Sequence, residues 1–87
     1  MKLNLIKSNM TELQIGDQSI LFSYNTPVAC VDRCTDKVYR TEKHWSVMTS
    51  RHINQYFRDV AKIPDTTAIE HKEQEWFDNL LLGVGVR

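Results

Sequence analysis

The sequence predicts an α+β domain: a small antiparallel sheet of three to four strands followed by two helices packed on one face. Three observations predict it. Apolar residues recur at every second position in the first half of the chain and at helical spacing in the second. Turn-forming residues punctuate the first half at Gly16-Asp17, Asn25-Thr26-Pro27 and Cys34-Thr35-Asp36. The length, 87 residues, suits one modest core and so one domain over 1–87. Strands are expected within about 11–47 and helices over about 50–62 and 67–82.

The first two strands form a hairpin over TELQIGDQSILFSY, residues 11–24. Leu13 and Ile15 alternate on one arm; Ile20, Phe22 and Tyr24 alternate on the other. Gly16-Asp17 suits the tight turn, because glycine accepts positive φ without steric cost. Pro27 has no N–H for a ladder and marks a strand start or an edge. VACVDR (28–33) reads as a third strand and KVYRT (37–41) as a fourth, which HWSV (44–47) extends or supplements.

The period then changes. Ile53, Tyr56, Phe57, Val60 and Ala61 form one helical stripe. Thr49 or Ser50 is the expected N-cap, and Pro64 ends the helix near Lys62. Thr67 and Glu70 have capping-box spacing ahead of Ile69, Trp76, Phe77 and Leu80, with Gly83 as a C-cap. The expected core joins Trp45, Ile53, Phe57, Val60, Ile69, Trp76, Phe77 and Leu80 to Ile20, Phe22 and Val28.

Composition narrows the function. At 41% hydrophobic and 25% charged the chain is globular rather than disordered. Eleven Lys and Arg balance eleven Asp and Glu, which argues against a general nucleic-acid binder and against an acidic nucleic-acid mimic. Asn4 and Lys7 interrupt the apolar residues of MKLNLIKSNM, so no signal-peptide core is read there, and no apolar run is long enough to span a membrane. Cys30 and Cys34 on one strand lie about 13 Å apart, too far for a disulfide unless the chain turns between them.

The stretch HWSVMTSRHINQYF (44–57) holds the densest set of chemically useful side chains. A zinc site from Cys30, Cys34, His44 and His52 has suitable ligand types, but the histidines stand eight apart, outside structural-zinc spacing. A thiol pair of Cys30 or Cys34 with His44 or His52 lacks any nucleophile signature. Thr49–His52 at a helix start suits an anion, yet plain capping accounts for the same residues. Arg33, Lys37, Arg40, Lys43, His44 and Arg51, interleaved with Tyr39 and Trp45, form a basic corner where a base could stack. The apolar tail at 80–86 either packs over its own core or serves a homodimer through the C-terminal helix and tail. No catalytic residue, metal or cofactor is assigned.

SYNTPVA (23–29) followed by YRTEKHWSVMTSRHIN (39–54) resembles a small uncharacterised domain encoded in bacteriophage and bacterial genomes. Its pattern is S-Y-x-T-P-V-A, then Y-x-T and T-S-x-H-I-N opening a helix, and the likeness covers roughly residues 11–60. The resemblance carries no enzymatic activity. It implies a phage or mobile-element setting in the bacterial host cytoplasm and, by analogy with that setting, a non-enzymatic protein that occupies a surface of a bacterial protein or complex, such as an anti-CRISPR-like inhibitor. The expected contact residues are Asn25, Thr26, Arg40, Lys43, His44, Arg51 and His52. The alternative is a nucleic-acid-binding regulator using the same corner.

Overall fold

A computed structural model describes residues 2–64 and 66–83, with side chains through Leu80 apart from residue 65. It has six strands: β1 (Lys2–Lys7), β2 (Met10–Ile15), β3 (Gln18–Ser23), β4 (Thr26–Asp32), β5 (Lys37–Thr41) and β6 (Ile69–Lys72). They form one sheet in chain order. Neighbours β1 to β5 pair antiparallel, whereas β6 runs parallel to β5. The class remains α+β, but the expected antiparallel sheet of three to four strands is corrected to a mixed sheet of six.

Both extra strands have a physical explanation. In β1 the period-two signal is inverted: Leu3 and Leu5 face outward, while Asn4 reaches the Glu12 carboxylate across the ladder. In β6 the residues IEHK offer little strand propensity. They pair because β5 otherwise leaves a row of unmade backbone hydrogen bonds at the sheet edge. The segment expected to begin the second helix at Thr67 therefore carries β6 over Ile69–Lys72 instead.

The first helix, α1 (Val47–Gln55), begins three or four residues earlier than expected. Its cap is Ser46, in extended backbone, whose hydroxyl accepts from the Thr49 N–H at 3.1 Å. It continues as a π turn over Tyr56–Val60, closed by Ala61 N–H to Tyr56 C=O at 2.9 Å. Lys62 then enters the left-handed region and Ile63 N–H reaches back to Phe57 C=O at 2.7 Å. The second helix, α2, spans Gln74–Gly83.

The two helices pack on opposite faces, which corrects the expected one-face arrangement. Alternation along β3 explains it: Leu21 joins Ile53, Tyr56 and Phe57 under α1, whereas its neighbour Ile20 joins Cys30 and Phe77 under α2. A bulge lets β4 serve the α1 side twice. Leu21 pairs Ala29 while Phe22 pairs Pro27, so Val28 is the extra residue and both Val28 and Ala29 enter the α1 core. Pro27 sits at that bulge and costs the ladder little.

Of the expected core, Ile20, Val28, Ile53, Phe57 and Phe77 are buried, and Phe22, Ile69, Trp76 and Leu80 are partly so. Trp45 and Val60 are instead exposed at 41% and 37%. A polar strip also crosses the α1 side. Glu12, 3% exposed, accepts from Tyr56 Oη at 2.7 Å, Gln14 Nε2 at 3.0 Å and Asn4 Nδ2 at 3.2 Å. Three donors make the buried carboxylate tolerable. The expectation for the 80–86 tail and the Gly83 cap lies largely outside the described residues.

Candidate functional site

The β3–β4 turn and the start of α1 enclose a groove of about 240 Å³ lined by Ser23, Tyr24, Thr26, Val28, Trp45, Ser46 and Thr49. It arises where the chain must leave β5 and cross above the sheet to begin α1. Ser46 stops the extended backbone and caps the helix, which leaves Trp45 at the lip.

The floor is a chain of hydroxyls. Ser23 Oγ lies 3.1 Å from Thr49 Oγ1 and 2.8 Å from His52 Nδ1. Ser46 Oγ donates to Thr49 Oγ1 at 3.3 Å. Ser23, Thr49 and His52 are all buried. Burial, reinforced by the Lys7 cation, holds His52 below its ordinary imidazole range, so the neutral ring is favoured.

The walls are aromatic. Tyr24 stands in the two-residue turn between β3 and β4 with φ of +59°, a region bulky side chains avoid. Its ring lies 5.9 Å from that of His52 and is 49% exposed. Trp45 is fixed from two sides: its Nε1–H donates to Gln74 Oε1 at 3.0 Å, and Lys43 Nζ sits 4.0 Å over its ring. Gln74 also accepts from Thr41 Oγ1 at 2.9 Å and donates to Pro27 C=O at 2.7 Å. One amide thereby ties α2, β4 and β5 to the groove lip. Val47 and Met48, at 60% and 44%, extend the apolar surface along α1.

The expected contact residues divide. Thr26 lines the groove and Lys43 covers its tryptophan. Asn25, His44 and Arg51 are exposed. His52 is 2% exposed and faces the floor, so it presents no contact surface. Arg40 is only part-exposed on the α1 side of β5, with Nε buried and without a partner among the described residues. Ser23, Tyr24 and Ser46 escaped sequence reasoning as lining residues, while Trp45 and Thr49 are expected there only for base stacking and anion binding. The available signal was the pair Tyr24-Asn25 at a strand-to-strand break.

The sheet also separates the thiols from the imidazole. Cys30 is buried on the α2 side, where desolvation and then Asp32 push its thiol up to about 12, whereas Cys34 is exposed in the β4–β5 turn. His52 lies on the α1 side. Among the described residues no three His, Cys, Asp or Glu side chains gather to hold a metal, and no helix is long and apolar enough to cross a membrane.

The model of a protein family of unknown function, DUF8033, matches residues 1–79. The chain belongs to DUF8033. That match contains all six strands, α1 and the groove, so the groove lies within the DUF8033 unit. No curated protein and no solved structure matches the chain.

Proposed function

We propose that this protein is a non-enzymatic binding factor whose contact surface is the groove between the β3–β4 turn and α1. The observation that carries the reading is the pair of exposed aromatics, Tyr24 and Trp45, standing over a hydroxyl floor. Exposed aromatic anchors rimmed by polar groups are the common energetic centre of protein interfaces. Size supports a protein partner. About 240 Å³ is below the range of small-molecule pockets, and it is the room one large side chain needs.

The partner is proposed to be a bacterial protein or complex in the host cytoplasm, blocked by occupation of its surface; this rests on the phage-type resemblance. A protein partner is favoured over nucleic acid because the basic corner is dispersed. Arg40 is half-buried, His52 is buried, and Lys43 occupies a face of Trp45 that a base would stack on.

The test compares capture from bacterial lysate by the wild-type protein and by Trp45→Ala and Thr26→Arg variants with matched thermal midpoints. A protein retained by the wild type and lost by both variants, with little change between low and moderate salt, supports the reading. Equal retention by all three overturns it, and a nuclease-sensitive, steeply salt-dependent capture replaces it with nucleic-acid binding.

A further inference from the structure

We infer that β1 is a self-association edge at which two copies of this chain join their sheets. β1 is the outermost strand, and among the described residues nothing pairs with its outer side. Protein sheets usually blunt such an edge with charge, proline, a bulge or a very short strand. β1 is six residues long, has no proline, and confines its lysines to its two ends, Lys2 and Lys7; its register slips against β2 only past Leu5, so Lys2–Leu5 stay regular. The stretch between them, Leu3–Ile6, is uncharged. It also carries Leu3 and Leu5, at 69% and 75% exposure, on the side opposite α1.

The α2 side of the sheet is only half covered. Register places Leu3, Leu13, Ile20, Cys30 and Tyr39 in one row across five strands. Phe77 and Trp76 of α2 cover the half made by Ile20, Cys30 and Tyr39. The Leu3–Leu13 half borders an open groove that also includes Phe22 and Tyr24.

The strand selects a second copy because it complements itself. Antiparallel pairing about Asn4 sets Asn4 opposite Asn4, Leu3 opposite Leu5 and Lys2 opposite Ile6 of the other copy. Opposed residues then share parity, so outward-pointing N–H and C=O groups of one strand meet those of the other. The leucines of both copies fall on one face, beside each other, and extend the apolar row. The lysines are not opposed. Shifting the register by one residue would set leucines against residues of the other face; shifting by two opposes Leu3 to Lys7 in one direction and in the other shortens the pairing to residues 2–4. Two short strands bury less than a standard interface, so the dimer is concentration-dependent.

Sedimentation equilibrium of the whole chain over a wide concentration range reads the average mass. The expected result is a rise from one chain toward two, abolished in a Leu3→Lys/Leu5→Lys variant whose thermal midpoint is unchanged. A cysteine placed at Asn4 in a Cys34→Ser background should cross-link the dimer on oxidation, because opposed residues approach within disulfide reach. A cysteine at Lys2 should not, since the two copies would lie about 13 Å apart there. A single-chain mass throughout, a dimer that survives the double lysine variant, or cross-linking at Lys2 as efficient as at Asn4 would each overturn the inference.

Discussion

Ser23 Oγ lies 2.8 Å from His52 Nδ1, a buried hydrogen bond between the end of β3 and the middle of α1. It fastens the helix to the sheet below the groove. The bond joins two side chains that are each 2% exposed, so neither group exchanges this partner for water without opening the structure.

Burial of His52, with the Lys7 cation beside it, makes stability depend on pH. His52 has a folded-state pKa below its unfolded value, so the unfolded chain binds the proton more readily. Stability therefore rises with pH through this window: it is complete above the unfolded value near 6.5 and declines as the pH falls below it. Urea denaturation between about pH 7 and pH 5 should show a falling midpoint. In His52→Gln that decline should flatten. An undiminished slope in the variant would assign the dependence to other groups.

Tyr24 stores backbone strain at the groove. Its left-handed φ costs about 1–2 kcal/mol that glycine does not incur. Tyr24→Gly should therefore hold the stability level or raise it slightly, offsetting the lost contact with His52. The same change should abolish partner capture by removing one wall. Chemical denaturation and capture measured on the same preparation separate the two effects.

Gln74 joins α2, β4, β5 and the Trp45 segment through one amide. Gln74→Ala leaves the Thr41 hydroxyl, the Trp45 indole and the Pro27 carbonyl short of a partner. A loss of about 1–3 kcal/mol is expected in urea unfolding, because partly buried polar groups are stranded. Gln74→Glu keeps the acceptor for Trp45 and Thr41 but sets a carboxylate oxygen against the Pro27 carbonyl and the Asp78 carboxylate, so it too should fall below wild type.

Tyr56 supplies the closest donor to the buried Glu12 carboxylate, and burial followed by that carboxylate raises its own phenol well above the usual range. Tyr56→Phe should destabilise by about 1.5–3 kcal/mol, the cost of a hydrogen bond to a charged group. Removing the charge with Glu12→Gln in the phenylalanine background should recover part of it. A double-mutant cycle with no coupling would show that Asn4 and Gln14 alone satisfy the carboxylate.

Local pattern exposed a large part of this molecule. The hairpin about Gly16-Asp17, the strand at Lys37–Thr41 and the helical stripe of Ile53, Tyr56 and Phe57 each announce themselves by spacing and turn chemistry. β1 and β6 do not. β1 turns its leucines outward and its asparagine inward, and β6 is a polar tetrapeptide recruited by the edge of β5. At the site, Thr26 and Lys43 follow from the sequence, while the burial of His52 and the partial burial of Arg40 do not. Which way a helix turns its histidine depends on the strand beneath it.

By itself the sequence determined the α+β class, the middle strands and the first helix, because backbone propensity and side-chain period act over a few neighbouring residues. Only the tertiary structure decided that the helices lie on opposite faces, that the sheet has six strands and that Trp45 stands outside the core. Those outcomes depend on which distant edges and faces remain to be satisfied once the local elements have formed.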